Sequence, residues 1–513
     1  MMRILLQTES GRRDIPAAPG DTLLAALRRA GFSVTAPCGG SGRCGKCVVY
    51  RRAAAGWEPV SACRTQAEDG MEVRLPDRQT LSVEGADCGF LLPDGPGLSG
   101  YGVACDIGTT TVACQLIDLS NGKILAWMGE ENAQAPYGGD VISRIHAAME
   151  GGLGALSTAI RSQLRRMVEE LCSRAGIAAS QISRMTAAAN PAMCHLLTGL
   201  PPDSLGRAPF TPVSRFGACM AAEEWGLPFE GEVYIAPAVS GFVGGDITAG
   251  MLAAELDRRE GLTILMDVGT NGEMVLGSGS RFICCSTAAG PVFEGAHLRC
   301  GMTAAAGAIS AAEWRDDGLR LEVIGGKKPS GICGSGFLDA AAMLLDLGVV
   351  DETGRMLPPS ESGCLPAAVS ARIFELDGAP AFQLVEEICV TQADIRKLQL
   401  GKGAIAAGLQ ILMDACGARS EDIQELLLAG GFGSRLRPES AARLGLIPRE
   451  LLPVARAAGN TALLGAGKAL VSLQTRDRLA GFQAHTEYLE LSSLPAFNSA
   501  YMDAMFFPEA DAL

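Results

Sequence analysis

The chain has 513 residues, 48% of them hydrophobic and 19% charged, with 64 glycines, the profile of a glycine-punctuated globular enzyme of about three domains. A net charge of −14 argues against a general binder of nucleic acid or of anionic membrane surfaces. No signal peptide and no run of about 18 uninterrupted apolar residues is found, so a cytoplasmic protein with no membrane partner is expected, its 17 cysteines mostly reduced.

Met2 to Gln7 predicts a strand, and Asp21 to Ala30 predicts an amphipathic helix capped by Asp21. Cys38, Cys44 and Cys47 follow on one glycine-rich loop, then a strand from Val48 to Tyr50, then Cys63. The spacing is C-x5-C-x2-C-x15-C. Four such thiolates can hold a [2Fe–2S] cluster, while the glycines let the loop wrap it with amides aimed at sulfur. The alternative is structural zinc, but zinc hooks pair as short C-x2-4-C units, which three cysteines on one loop are not. Residues 81–100 have linker composition, and Cys88 within them is given no role.

Val103 to Cys114 runs apolar, then Asp106, Gly108 and the hydroxyls of Thr109, Thr110 and Thr111, then apolar again. That is strand, tight turn, strand, in which amides and hydroxyls can hold phosphate and Asp106 can hold hydrated Mg²⁺. The device returns at Ile264 to Leu276, aligning Asp267, Gly269 and Thr270 with Asp106, Gly108 and Thr109, and adding Asn271. Two copies suggest a duplicated domain gripping one nucleotide.

Between the copies, a turn is expected at Asn121-Gly122, and Asp140 should cap a helix from Val141 to His146. His146 reads as a solvated helix residue and His195 as a packed core histidine rather than a ligand. Asp246 stands at a helix start that it can cap; the pattern acidic-x-Thr-Ala-small around it resembles the element of heat-shock-type ATPases whose carboxylate positions the attacking water, and that resemblance implies a catalytic role as the alternative. Beyond the second copy, the adjacent Cys284 and Cys285 are poorly placed for a relaxed disulfide. Cys333 sits in a glycine turn entering the helix Leu338 to Leu345, and Thr391 to Asp394 should open a long helix carrying Lys402. Leu426 to Ala429 predicts a buried strand running into Gly430, Gly431, Phe432, Gly433 and Ser434, where backbone can lie against a flat ligand. A helix from Ala462 to Leu470 should pack behind the site. No G-x-x-x-x-G-K-[ST] occurs, which excludes a P-loop enzyme.

The two phosphate turns and the glycine loop, in this order, resemble the actin-like ATPase superfamily, which includes sugar kinases and heat-shock chaperones. The N-terminal segment resembles a β-grasp ferredoxin. Joined, and with YGGDVISRI from Tyr137, the Asn190 to His195 element, FVGGD from Phe242, AAGPVFEG from Ala288 and the tail Tyr488 to Phe507, they resemble the reductive activators of corrinoid proteins. The resemblance implies an α+β [2Fe–2S] ferredoxin domain followed by a duplicated α/β actin-like, RNase H-like ATPase. The expected boundaries are 1–80 for the ferredoxin-like domain, 81–100 for the linker, 101–258 for the first ATPase half and 259–513 for the second. Expected cofactors are the cluster on Cys38, Cys44, Cys47 and Cys63, ATP, and Mg²⁺. Asp106, Asp246 and Asp267 are the expected catalytic carboxylates. Gly108, Thr109, Thr110, Gly269, Thr270, Asn271, Lys402, Gly430, Gly431, Phe432 and Gly433 are expected at the nucleotide; for Lys402 a solvated surface position is the alternative.

The function so implied is transfer of an electron from the cluster to Co(II), driven by ATP, restoring Co(I) in the corrinoid protein of a methyltransferase system. An upstream reductase or ferredoxin would supply the electron, and a homodimer is compatible with this reading. Two alternatives stand beside it: a small-molecule kinase with an appended ferredoxin, and a nucleotide-switched electron carrier or chaperone-like binder.

Overall fold

The computed structural model describes residues 2–8, 11–30, 32, 34, 36, 40, 42, 47–54, 56–76, 91, 98–316, 318–430 and 436–509. Cys38, Cys44, Cys88, Gly431, Phe432, Gly433 and Ser434 lie outside these, as do residues 81–90 and 92–97 of the expected linker.

The N-terminal sheet holds β1 (Met2–Thr8), β2 (Gly11–Ala17), β3 (Val48–Ala53), β4 (Gly56–Ser61) and β5 (Glu72–Arg74), in the order β2-β1-β5-β3-β4. Period-two alternation in β1 turns Ile4 and Leu6 into a core shared with Leu23 and Leu27 of the helix Leu23–Arg29, and with Val49 and Val73. One helix thus lies across a mixed sheet, the β-grasp arrangement. The cap differs from expectation. Thr22 Oγ1 accepts from the Ala25 amide at 3.2 Å, whereas Asp21 accepts from Arg29 at 2.7 and 2.9 Å and from the Ala18 amide at 2.6 Å. A charged partner about two turns along captures the carboxylate and, with the Ala18 amide, holds it down at about 2, leaving the hydroxyl to cap.

The next sheet is built from β6 (Tyr101–Ile107), β7 (Thr111–Asp118), β8 (Lys123–Glu131), β9 (Ile182–Ala189), β10 (Ala218–Ala221) and β11 (Glu232–Ile235), ordered β10-β11-β9-β6-β7-β8. β6 is buried on both faces, which explains its continuous apolar run. Leu119 to Gly122 form the turn between β7 and β8, and Asp140 caps the helix Val141–Ala147 in a capping box with Ser143.

The second half repeats the first. β12 (Leu262–Val268), β13 (Gly272–Ser278) and β14 (Arg281–Thr287) form an antiparallel meander, as β6 to β8 do. An insertion follows, with β15 (Ala308–Arg315), β16 (Gly318–Val323) and β17 (Gly331–Ile332) in one small sheet and β18 (Ile373–Leu376), β19 (Ala379–Val385) and β20 (Ile388–Thr391) in another. Then β21 (Ile423–Ala429) pairs parallel to β12, and β22 (Ala455–Gly459) parallel to β21, matching β9 and β11; β23 (Thr486–Tyr488) closes the far edge. The long helices Leu153–Ala175 and Gln392–Cys416 precede β9 and β21 in corresponding places.

One helix of each half, following its last parallel strand, crosses to the other half's sheet. Ile247 and Met251 of Gly245–Ala253 bury against Leu265, Val275 and Leu427, while Leu463, Ala466 and Leu470 of Thr461–Val471 bury against Ala104, Ala113 and Ile117. The two helices touch so closely that a Cβ on Gly465 would lie 1.8 Å from the Ala249 carbonyl oxygen. Cys284 and Cys285, adjacent on β14, point to opposite faces and into different cores, both as free thiols. The tail docks on the long helix Gln392–Cys416 through the helix Pro495–Ala504, and Phe507 behind it is 3% exposed, a burial that contributes about 2 kcal/mol.

Candidate active site

The two hairpin turns face one cleft, with about 1200 Å³ of empty space counted out to open solvent. Asp106, Gly108, Thr109 and Thr110 line it from the first half, and Asp267, Gly269, Thr270, Asn271 and Gly430 from the second, with Asp246 between them. Duplication brings these residues together: each Asp ends the central strand of its sheet, so mirrored halves set the two carboxylates across a shared gap. Gly430, at φ +96°, follows the neighbouring strand β21; a Cβ there would stand 2.5 Å from Asp267 Oδ1.

Each turn is held from behind. In the first, the Gly108 amide donates to the Thr111 carbonyl at 2.9 Å, and Asn132 Nδ2 donates to the Gly108 carbonyl at 2.8 Å. Arg144 Nη2 donates to the Thr109 carbonyl at 2.6 Å and Asn190 Nδ2 to Thr109 Oγ1 at 3.2 Å. In the second, the Gly269 amide donates to the Asn271 carbonyl at 2.9 Å and Thr270 Oγ1 to Glu294 Oε1 at 2.8 Å. Two helix starts also reach the cleft. Asp246 Oδ1 accepts from the Ile247 amide at 2.9 Å, one residue into Gly245–Ala253. Asn460 caps Thr461–Val471 through the Leu463 amide at 2.8 Å and donates Nδ2 to Asp106 Oδ2 at 2.7 Å. Helix N-termini carry partial positive charge, which suits an anionic ligand.

The electrostatics are lopsided. Among the described lining residues are Asp106, Asp246, Asp267, Glu273 and Glu294, and no Lys, Arg or His. Burial pushes Asp106 up to about 6, with Asn460 opposing the shift. Burial and the Asp106 charge push Asp246 up to about 7; burial and the charges of Asp246, Asp106 and Glu294 push Asp267 up to about 8. Burial and the charges of Asp246 and Asp267 raise Glu273 well above the carboxylate range, and Glu294 Oε2 is buried with no hydrogen-bond partner. Such a set repels a polyphosphate unless a divalent cation neutralises it, so these carboxylates fit Mg²⁺. Among the described residues no three His, Cys, Asp or Glu side chains are placed to grip a metal ion together.

Other expected site residues fall differently. Lys402 is turned away from the cleft lining: it is 1% exposed, its Nζ donates to the Phe506 carbonyl, and it stands 5.0 Å from the centre of the Phe507 ring. Burial pushes it down to about 7. The docked tail takes the position that sequence reasoning gave to a nucleotide or to solvent. His195 is a packed core residue, its Nδ1 bonded to the Pro191 carbonyl at 2.7 Å and its Nε2 accepting from the Val213 amide at 3.1 Å. His146 is on the surface beside Glu150. Sequence reasoning missed Arg144, Asn190, Asn460, Glu273 and Glu294 as site residues. Asn460 had a signal, an amide side chain directly before an apolar helix; the inward turn of Arg144 had none.

In the N-terminal domain, the Cys63 amide donates to Cys47 Sγ at 3.3 Å, and Cys47 is fully buried. Gly40 and Gly42 on the same loop have φ of +95° and +77°. An amide aimed at sulfur and left-handed glycines beside it fit thiolates that ligate a cluster.

The sequence matches three family models: a 2Fe-2S iron-sulfur cluster binding domain over residues 7–69, the RACo middle region over 101–259, and the C-terminal domain of RACo, the ASKHA domain, over 261–513. It is 34% identical to the "Corrinoid activation enzyme RamQ" of Eubacterium limosum, over 78% of this chain and 69% of that protein. It is 25% identical to the "[Co(II) methylated amine-specific corrinoid protein] reductase" of Methanosarcina barkeri, over 78% of this chain and 76% of that one. The solved structure of a "Reductive activator for corrinoid,iron-sulfur protein" superposes with a TM-score of 0.74 at 28% identity, covering 100% of this chain and 99% of that chain.

Proposed function

The chain belongs to the RACo family of reductive activators of corrinoid proteins, and on that premise we propose how its own residues divide the work. It is an ATP-dependent enzyme that returns a corrinoid protein from Co(II) to Co(I) with an electron from its [2Fe–2S] domain. A bound cluster of this kind supplies single electrons at about −400 mV, which leaves the cobalt reduction uphill. Cys47 and Cys63, with Cys38 and Cys44, are the thiolates to hold it. ATP is placed with its phosphates between the turns Gly108–Thr110 and Gly269–Asn271, and with its adenosine against the loop 430–433. Asp106 and Asp267 hold the hydrated Mg²⁺ that screens the phosphates. Asn460, locked to Asp106 Oδ2, keeps that carboxylate aimed into the cleft.

Asp246 orients the attacking water and takes its proton. Held near neutrality by burial and its acidic neighbours, it can accept and return a proton at working pH. Its amide contact to Ile247 also helps finish the helix start, so one carboxylate serves both roles. Differential contacts of ATP and its products with the two turns bias the lobes between arrangements, and the crossed helices carry that bias across the molecule.

The observation that carries this reading is the convergence of Asp106, Asp246 and Asp267 on one cleft between repeated hairpins. It is tested by visible-absorption titration of a purified Co(II) corrinoid protein with reduced activator, with and without Mg-ATP. Accumulation of Co(I) only with Mg-ATP is expected. Equal Co(I) in both arms would mean that the cleft does not drive reduction.

A further inference from the structure

Cys300 and Cys389 take no part in the site described above. Cys300 lies in the loop between Glu294 and Thr303, both of which line the cleft, and Cys389 lies in β20. The Cys389 amide donates to Cys300 Sγ at 3.5 Å, the Cys300 thiol donates to the Glu387 carbonyl at 3.6 Å, and the Cys389 thiol influences the same sulfur closely enough to lower its pKa. Cys300 is half-buried and reachable from solvent, whereas Cys389 is 4% exposed behind it. This is an attacking thiol in front of a resolving thiol.

We propose that Cys300 and Cys389 form a reversible thiol–disulfide site through which an oxidising pool of small disulfides slows the ATP cleft. The Cys389 hydrogen bonds, with Arg299 beside the sulfur, hold the Cys300 thiol down at about 6, while Cys389 is raised well above its ordinary value. Of the two thiols the exposed one therefore ionises more readily, giving up its bond to the Glu387 carbonyl as it does so. It attacks one sulfur of oxidised glutathione, forming a mixed disulfide and releasing one glutathione thiolate. With Cys300 capped, the charge that kept Cys389 protonated is gone. Cys389 loses its proton, attacks Cys300 Sγ and expels the second glutathione. Two protein thiols are oxidised and one glutathione disulfide is reduced to two thiols.

The bond would reach the cleft through short connections. Cys300 accepts at its carbonyl from the Ile332 amide at 2.9 Å, one residue before the cleft-lining Cys333. The Arg299 amide donates to Asp394 Oδ1 at 3.0 Å, in the first turn of Gln392–Cys416. A disulfide would fasten the loop from Glu294 to Thr303 to the start of that helix. Cys105 and Cys114 supply an internal control. Their sulfurs face each other across β6 and β7 at 2.9 Å, but both are sealed from solvent and burial raises the Cys114 thiol well above its ordinary value. Proximity without thiolate or access should leave them reduced.

The test takes the full-length protein with its cluster, anaerobically, with oxidised glutathione, followed by alkylation, peptide mass spectrometry and ATP turnover. Cluster absorption is followed throughout. The expected result is a Cys300–Cys389 linked peptide while Cys105 and Cys114 stay alkylatable. Turnover should fall at least about fivefold, the low end of coupling between sites, and return with dithiothreitol. Cys300→Ser and Cys300→Ala should neither form the link nor lose turnover. Absence of the linked peptide, or its formation after the Cys105–Cys114 link, overturns the proposal. So does a link that leaves turnover unchanged, or an equal loss in both variants. The linked peptide is read by mass, so its failure is distinct from a failure of the ATPase reading, which would show as no turnover in untreated protein.

Discussion

The proposed hydrolysis turns on Asp246, and Asp246→Asn tests it, because Asn keeps the contact to the Ile247 amide and loses the charge. The variant should bind Mg-ATP and keep its cluster but hydrolyse ATP at least about tenfold more slowly, a loss above about 1.4 kcal/mol. Parent-like hydrolysis would reduce Asp246 to a helix cap. The three aspartates also set a pH dependence. Burial, with their mutual charge for Asp246 and Asp267, raises them from 3.8 to about 6, 7 and 8, so the nucleotide-free fold holds protons that the unfolded chain has already lost. Stability must then fall as pH rises from about 4 to about 8. Thermal melts of metal-free protein should show a declining melting temperature across that window, flattened by Mg-ATP. A melting temperature that climbs instead would mean that these carboxylates are stabilised as anions.

The crossed helices are the elements most sensitive to a small change. Gly465 meets the Ala249 carbonyl, and Gly250 meets Thr461, at the crossing of Gly245–Ala253 with Thr461–Val471. Gly465→Ala puts a methyl where backbone already lies, and overpacking of this kind costs about 1–3 kcal/mol. Because the helix starts carry Asp246 and Asn460, separation of the pair should also raise the KM for ATP, measured beside chemical denaturation. Unchanged stability and KM would show that the contact is not tight. Asn460→Asp is the finer probe. It retains the cap on the Leu463 amide but sets a second carboxylate against Asp106, so ATP turnover should fall, and thermal stability should fall with it more steeply as pH rises from about 4 to about 8 than in the parent.

The whole molecule joins an electron-carrying domain to an ATP-driven one, and mutation should separate the two. Cys47→Ser removes a buried sulfur that accepts the Cys63 amide, so the visible cluster absorption and about two irons per chain should be lost. ATP turnover should persist, since the cleft is lined by residues from 106 to 462. Corrinoid reduction should disappear. Loss of ATP turnover together with the cluster would mean that the ferredoxin domain is required to shape the cleft. Among the described residues no helix is long and apolar enough to cross a membrane.

Local chemistry made much of this legible in the sequence. Apolar-Asp-x-Gly-Thr written twice specified two strand–turn–strand units with a carboxylate at each turn, because a tight turn and a buried strand are both short-range demands. A 2Fe-2S domain was equally legible from cysteine spacing and glycines, as the match over residues 7–69 bears out. Tertiary structure alone decided the rest, wherever a residue's role depends on what lies opposite it. Asn460 is 354 positions from Asp106 yet bonded to it, because the helix Thr461–Val471 of the second half packs on the first half's sheet. Arg144 reads as an ordinary helix residue, but its guanidinium is buried behind the Thr109 turn. Lys402 carries the opposite lesson: a cation on the helix before the glycine loop is claimed by the Phe506 carbonyl once the tail docks. Periodicity states which face of an element is apolar, and packing chooses the partner for every polar group on it.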